Sequence, residues 1–525
     1  MTAKLSIDGK WILIENATSI EIKQLRLSFT KKIPDWYIIK KKSPYAIVDE
    51  SFISDYNVIP SGLWVELIKV CEKYKYNIEF IDGFDTKIKE HLDKSSFIGF
   101  VDNMFKNNDV MKPRGYQLDG VYDILTYKRC CVEISTSGGK TAMCYILFKY
   151  LRDVYGSKHI LYVTPKTTLT TQSSDKFELY DKQCGIDSNW TYDELHAKAK
   201  KKSSYNADIV FGNYQSLCKK GPDFFNMFDC VIIDECHHST SKSIRNIITK
   251  CVNAKYIIGL TGTFPNDGTY ENYMLQSYIG PLVNRLTSYE LIYEEENATP
   301  VYVIGIKMDY LEEVRKKALY DLRCNKDKDD PTVGNKLLEM EREISRKSYT
   351  RKKYICDMIN KTTKNTLVIF TDVKGEYGHS IYETIKDITY KSVYYIDGDV
   401  SVDKRDYAKA AMEEDDTGNT VIISSINCFS EGVDISNLWN IFLIESVKSE
   451  VLVAQLLGRG MRSYPGKDKT LLFDFFDDYS YGNDYYSNNY LLRHSIERLN
   501  IYKKRRFPYK SFNVDLNQQQ KNVLC

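Results

Sequence analysis

Two short stretches hold residues whose types and order suit phosphate chemistry. Cys230 to His238 reads CVIIDECHH, four apolar residues running into the paired carboxylates Asp234 and Glu235. Such a run predicts a buried parallel strand that ends at a site. There Asp234 would bind Mg²⁺, directly or through water, and Glu235 would orient or deprotonate an attacking water. The second stretch, Ile134 to Thr141, reads ISTSGGKT and lies between a strand-like run and an apolar helix-like one. Small residues in that setting let backbone N–H groups wrap a phosphate. Lys140 would reach the β and γ phosphates, and the Thr141 hydroxyl would ligate Mg²⁺. The GxxxxGK[ST] pattern asks for glycine six residues before the lysine and Ile134 stands there, so the wrapping rests on Ser137, Gly138 and Gly139. An acidic pair alone can be a polar turn after a strand, and Gly-Gly alone can cap a buried helix. Together, and in this order, they point to hydrolysis of a nucleoside triphosphate with Mg²⁺.

These residues need a scaffold, and the chain carries its pattern. From Pro113 onward, short β-branched runs alternate with longer amphipathic segments, as βα units around a parallel sheet do. Cys130–Ile134, His159–Val163, Asp208–Phe211, Cys230–Asp234 and Tyr256–Leu260 are the strands expected of a first lobe. Strand signals vanish between Ile306 and Thr363, where charged helical patterns take over. They restart at Thr366–Phe370, Val393–Ile396, Thr420–Ser424, Ile441–Ile444 and Thr470–Phe475. The expected architecture is α/β, with two tandem parallel-sheet lobes at 111–295 and 296–525 and a small α+β domain at 1–110.

The first domain has a different texture, with strand-like pieces at Trp11–Ile14 and Trp36–Ile39 and a helix-like stretch from Leu63 to Tyr74. Its charge is divided: nine basic and four acidic residues up to Val48, then seven basic and twelve acidic from Asp49 to Val110. The basic half interleaves Lys31, Lys32, Lys40, Lys41 and Lys42 with Phe29, Trp36 and Tyr37. That mixture suits phosphate contact with stacking, although a solvated lysine face has the same composition. At the far end, Tyr490–Tyr502 reads as a helix that runs into Lys503, Lys504, Arg505 and Arg506, a solvated helix end or a second phosphate contact.

The overall charge of +2 means that nucleic-acid binding would have to come from local patches. No apolar stretch approaches the ~18 residues of a membrane span, and the start of the chain lacks a signal-peptide core. Thirteen cysteines without a CxxC pair imply reduced apolar residues, neither a disulfide framework nor a structural metal. A cytoplasmic protein is expected, with no membrane partner.

With both lobes in view, the chain resembles the superfamily 2 helicases. Arg114 and Gln117 in PRGYQLDGV look like the adenine-recognising motif, and Thr164-Pro165-Lys166 resembles motif Ia. Gly212-Asn213-Tyr214-Gln215-Ser216-Leu217 resembles the next DNA-facing motif, and Thr261-Gly262-Thr263 resembles motif III. In the second lobe LVIFTDVKGEYGHSI is similar to motif IV, Ser430-Glu431-Gly432-Val433-Asp434 to motif V, and Gln455 to Arg462 to motif VI. The whole looks most like the UvsW group of phage helicases, which act on branched DNA in recombination, repair and replication.

The resemblance implies RecA-like lobes and ATP with Mg²⁺ as cofactors. It implies catalysis by Lys140, Asp234, Glu235, Arg459 and Arg462, and further nucleotide contacts from Gly432 and Asp434. Coupling would fall to His237, Thr261, Thr263 and Gln455. DNA contacts would come from Thr164, Pro165, Lys166, Gly212, Asn213, Thr371 and Ser424, with Lys40, Lys41 and Lys42 in the first domain. The implied substrate is forked or branched DNA, in the host cytoplasm if a phage encodes the chain. A double-strand translocase or an RNA helicase would carry the same motifs, and a nucleotide-switched DNA-binding scaffold is the reading without catalysis.

Overall fold

Alternate residues of the first two strands are buried, and that alternation makes the first sheet. In a computed structural model, which describes residues 1–106, 112–184, 190–196, 206–240, 242–324, 333–372, 376–430 and 435–517, β1 (Thr2–Leu5) and β2 (Trp11–Glu15) pair antiparallel. Ala3, Leu5, Ile12 and Ile14 point into one core. β3 (Thr30–Lys32) and β4 (Asp49–Ser51) form a separate ladder, while β5 (Val58–Pro60) and β6 (Glu79–Ile81) complete a sheet of order β5-β2-β1-β6. This core is closed by Tyr273 and Met274, which come from a helix of the following lobe.

Trp36–Ile39, expected as a strand, is the start of a helix, Trp36–Lys42. Asp35 turns the chain at φ +56° just before it, and no residue of the helix is buried. Lys40, Lys41 and Lys42 fill its last turn, where cations complement the carbonyl end. β-rich composition did not decide this segment, because no sheet edge takes it up.

The chain divides into two compact units, Met1–Leu286 and Thr287–Cys525. The first contains, besides the N-terminal sheet, β7 (Arg129–Ile134), β8 (Ile160–Thr164), β9 (Tyr192–Leu195), β10 (Ile209–Asn213), β11 (Cys230–Asp234), β12 (Tyr256–Thr261) and β13 (Leu282–Leu286). Among the described residues these form one parallel sheet of order β13-β7-β12-β11-β8-β10-β9.

The second unit contains β14 (Val301–Asp309), β15 (Thr366–Phe370), β16 (Ser392–Ile396), β17 (Thr420–Ser425), β18 (Asn440–Leu443), β19 (Thr470–Asp477) and β20 (Tyr509–Asp515). They form a parallel sheet of order β16-β17-β15-β18-β19-β14-β20. Two parallel sheets of seven strands flanked by helices are two RecA-like lobes, preceded by a small α/β domain.

All ten strands expected for the lobes are present, within a residue or two of their predicted ends. Of those not foreseen, β20 is mostly exposed, so its side chains carry no burial pattern to read. The second lobe also buries complete ion pairs. Arg351 bonds Asp477 at 2.6 Å, and Arg498, from the helix Tyr490–Lys504, bonds Asp474 at 2.7 Å. That helix is therefore part of the lobe. No described helix is long and apolar enough to cross a membrane.

Candidate nucleotide and nucleic-acid site

Strand order brings the motif loops into a row at one end of the first lobe. Because β12 lies between β7 and β11, the loop Thr261-Gly262-Thr263 emerges between the loop after β7 and the carboxylates after β11. β8 and β10 follow on the other side of β11, so Thr164–Lys166 and Gly212–Asn213 continue the row at the ~4.8 Å spacing of neighbouring strands.

The loop after β7 is shaped by its small residues. Ser137 and Gly139 both take positive φ, +75° and +82°, and Lys140 opens the helix Lys140–Tyr155. A Cβ on Gly139 would stand 2.2 Å from Gln117 Nε2, and one on Gly138 would stand 2.5 Å from Ile134 Cγ2. Ile134 is thus the buried plug beneath the loop, and the turn is made without glycine at that position. Gln117 Nε2 donates to the Gly138 carbonyl at 3.1 Å, and Gln117 Oε1 accepts from the Arg114 backbone N–H at 3.0 Å. Arg114 and Gln117 are therefore joined to the loop after β7 at the start of the helix Gly115–Tyr127. Thr141 lies in the first turn of its helix, where backbone N–H groups favour an anion.

Lys140 Nζ lies 3.6 Å from Glu235 Oε1 and donates to the Ile134 carbonyl at 3.4 Å. Glu235 takes φ +50°, an uncommon left-handed conformation that turns its carboxylate back toward the loop, and its backbone N–H donates to Asp234 Oδ1 at 3.0 Å. Burial raises the Asp234 pKa above the ordinary carboxylate range, and the neighbouring Glu235 charge adds to the shift. Burial acts on Glu235 in the same sense, but Lys140 and then His237 and His238 outweigh it, leaving its pKa below the ordinary value. Two adjacent carboxylates, one of them short of compensating charge, suit a hard divalent cation.

His237 joins this pair to the motif III loop. Its Nδ1 lies 2.8 Å from Thr261 Oγ1 and 3.3 Å from Glu235 Oε2. Thr261 Oγ1 donates to the Thr263 carbonyl at 3.1 Å and accepts from the Thr263 N–H at 3.0 Å. With that hydroxyl proton committed, the network assigns the imidazole proton to Nδ1. Burial pushes the His237 pKa down to about 4, so the ring is neutral at pH 7. A Cβ on Gly262 would meet Thr136 Oγ1 at 3.2 Å and Lys140 Nζ at 3.5 Å. Carboxylate, histidine, threonine and the loop after β7 form one contact chain.

Among the expected DNA contacts, Thr164 and Asn213 are buried. Thr164 Oγ1 lies 2.6 Å from Thr170 Oγ1, and Asn213 accepts from the Ser216 N–H at 3.0 Å while donating to Thr167 Oγ1 at 2.9 Å. Gly212 packs against Leu217, which a Cβ would meet at 3.0 Å. These side chains shape their loops, while Pro165 and Lys166 are partly exposed. In the second unit, Glu445 accepts from the backbone N–H groups of Thr371 at 2.5 Å and Asp372 at 3.0 Å. Ser424 is buried with its hydroxyl on the Ser425 carbonyl, 3.2 Å away.

Gln455 and Arg459 lie on the helix Glu450–Gly460, with Arg462 just beyond its end. Burial lowers the Arg462 pKa to about 10 against the opposing charge of Glu413. Gly432 and Asp434 lie outside the described residues. One neighbour escaped the sequence reading: Lys467 Nζ donates to the carbonyls of Arg462 (2.9 Å), Gly460 (3.0 Å) and Ser436 (3.2 Å), pinning the end of that helix. It stands in the GKDKT segment after the Gln455–Arg462 motif, where sequence alone gives it no role.

The basic segments are partly engaged within the molecule. Lys31 lies 4.2 Å over the Tyr273 ring and Lys32 lies 3.8 Å over Trp36. Lys504 and Arg505 reach Glu450 at 3.3 and 3.6 Å. Lys40 donates to the Pro44 carbonyl at 3.0 Å.

Comparison with known proteins completes the picture. Residues 110–266 match the family model of the type III restriction enzyme res subunit, and residues 350–464 match the helicase conserved C-terminal domain. The ATP-dependent DNA helicase uvsW of Enterobacteria phage T4 is 28% identical over 477 residues, covering 88% of this chain and 89% of that protein. The chain is a superfamily 2 helicase of the UvsW type. The crystal structure of T4 UvsW aligns with 98% of this helicase and 100% of that chain, at 24% identity and a TM-score of 0.48. The DNA-bound type ISP restriction-modification enzyme LlaBIII covers 79% of this helicase and 32% of its own chain, at 14% identity and a TM-score of 0.54, a likeness of fold.

Proposed function

We propose that this helicase hydrolyses ATP at the loop after β7 and uses the energy to unwind or branch-migrate forked and junction DNA in replication, recombination and repair. The observation that carries the catalytic part is the convergence of Lys140, Glu235 and His237 with the Thr261 loop through contacts of 2.8 to 3.6 Å. Lys140, the loop N–H groups and the helix N-terminus hold the phosphates, and Gln117 with Arg114 stands where adenine would be read. Asp234 and Thr141 would hold Mg²⁺, which when bound neutralises charge between the β and γ phosphates. Glu235 orients the attacking water and takes its proton. Arg459 and Arg462, with nucleotide contacts at Gly432 and Asp434, are the residues of the second unit assigned to the γ-phosphate, where arginine neutralises developing charge.

Movement is coupled through His237. A phosphate at the loop would compete for Lys140, releasing Glu235, and the His237–Thr261 bond would carry that change to Thr263. Gln455 is assigned the same task in the second unit. Lys166 and Pro165, the backbone at Gly212 and Asn213, and the Thr371 and Ser424 segments would hold the strand. Lys40, Lys41 and Lys42, on an exposed helix beside Trp36 and Tyr37, are the proposed contact with the branch.

The reading is tested by phosphate release with single-stranded DNA, forked DNA, four-way junctions and RNA as activators. Forked and junction DNA should stimulate most. RNA as the sole activator would overturn the substrate, and absence of hydrolysis with every nucleic acid would replace catalysis by a nucleotide-dependent switch.

A further inference from the structure

A cavity of about 800 Å³ opens at the other end of the first lobe's sheet, lined by residues of the N-terminal sheet and by residues at the starts of β7, β12 and β13. β7 alone separates it by about 17 Å from the loop after that strand, so one nucleotide cannot occupy both sites. Part of its wall is aromatic. Trp11 is 48% exposed on β2, and the rings of Trp64 and Tyr127 lie nearly parallel, 6.5 Å apart at 19°.

The rest of the lining is rich in donors. Lys10 and Lys255 are exposed there, and Arg129 Nη2 donates to the Tyr278 carbonyl at 2.9 Å. The Trp64 indole N–H is buried without a hydrogen-bond partner. Two carboxylates also line the cavity, and both are engaged. Asp8 accepts from Ser6 Oγ at 2.6 Å and from the Lys10 N–H at 3.2 Å, and Glu50 accepts from the Tyr270 hydroxyl at 2.7 Å.

Lys89 lies 5.9 Å over the Trp64 ring and 5.4 Å over the Tyr127 ring, which leaves Trp11 as the open aromatic face. An apolar ligand would leave these cations unmatched, and a bare inorganic anion would leave Trp11 uncovered. A nucleoside phosphate uses both, its base on an aromatic face and its phosphate among the cations. We propose that this cavity is a second nucleoside-phosphate site, filled by one or two nucleotides of a DNA strand held between the N-terminal domain and the base of the first lobe. The inference rests on the chain acting on DNA, but on none of the motif residues. A free nucleotide has the same chemistry, so the test separates the two sources.

The test uses the full-length chain with two photoreactive probes, a 5-iodouracil single strand and free 8-azido-ATP, and maps the crosslinked peptides. The strand should label peptides bearing Trp11, Trp64 or Tyr127. The exposed double charge reversal Lys10→Glu with Lys255→Glu should remove that label and weaken strand binding at low salt by about tenfold or more. It should also flatten the log–log salt dependence by about 1.4, two contacts at ~0.7 each on a single strand, and leave DNA-independent ATP hydrolysis unchanged. Labelling here by the free nucleotide alone would overturn the strand as occupant. Labelling by neither probe, or unchanged affinity in the double variant, would overturn the site. A chain that crosslinks a strand here but never hydrolyses ATP would refute the helicase mechanism and leave the cavity assignment standing.

Discussion

Replacing Arg498 by methionine should destabilise the second lobe and, through it, the helix that carries Arg459. The Arg498 guanidinium, fully buried, bonds both Asp474 oxygens at 2.7 and 2.9 Å, the Val447 carbonyl at 3.0 Å, and the hydroxyls of Ser495 at 3.0 Å and Ser446 at 3.2 Å. Methionine fills much of the volume but leaves Asp474 with only the Tyr502 hydroxyl, at 2.8 Å, and orphans the Val447 carbonyl. Removing one partner of a buried pair costs about 3–5 kcal/mol, because the remaining charge stays desolvated. For a unit of this size each kcal/mol shifts the midpoint by about 2–4 °C, so the transition should fall by roughly 6–20 °C. Val447 and Ser446 lie just before Ser449, which caps the helix Glu450–Gly460, so DNA-stimulated hydrolysis should fall below the melting point as well. Thermal unfolding of the full chain, followed with the ATPase rate at 25 °C, measures both. Adding Asp474→Leu should recover part of the lost stability, since a buried pair replaced by apolar groups is often near neutral. A midpoint within 2 °C of the wild type for Arg498→Met would refute the reasoning.

Lys140→Ala should abolish hydrolysis with weakened ATP binding, whereas Glu235→Gln should lower kcat by about 10²–10⁴ with binding retained, as nucleotide titration beside turnover will show; wild-type turnover in Glu235→Gln would remove its catalytic assignment. Arg462→Ala should lose about a thousandfold in hydrolysis if it neutralises the transition state. Thr261→Val should keep most ATPase activity yet lose unwinding, and equal loss of both would place Thr261 in the chemistry instead. Lys467 gives a pH dependence. Burial and then the Arg462 charge hold its pKa down at about 7. Between pH 7 and the unfolded value of 10.5 the unfolded chain binds the extra proton, so the penalty is complete below pH 7 and eases as pH rises. Unfolding free energies of wild type against Lys467→Met, from denaturant titration, should therefore diverge in favour of the wild type by about 2 kcal/mol from pH 7 to 9. Replacing Lys40, Lys41 and Lys42 by alanine should flatten the salt dependence of branched-DNA binding by up to ~0.9 per lost contact. Deleting the whole first domain is the harsher perturbation, since it uncovers Tyr273 and Met274.

The sequence by itself determined the lobes and ten of the fourteen strands described in them, because a strand buried on both faces must be a run of apolar residues wherever it sits in the sheet. It also singled out Lys140, Asp234 and Glu235 as candidates, since phosphate and metal chemistry draws on those types where a strand ends or the following helix begins. Tertiary structure alone decided what lies beside them. Only the strand order puts the Thr261 loop between the phosphate loop and the carboxylates, and only packing turns Thr164 and Asn213 inward and commits Lys31 to Tyr273. Trp36–Ile39 reads as a strand until no sheet edge takes it up, and β20 is silent because an exposed edge strand needs no apolar face. Arg498 lies far in sequence from most of the groups it binds, and Lys467 ties the end of the preceding helix to the distant Ser436. Local pattern reports burial and turn chemistry, while the partners of a buried charge are set by which distant segments the fold brings within 3 Å.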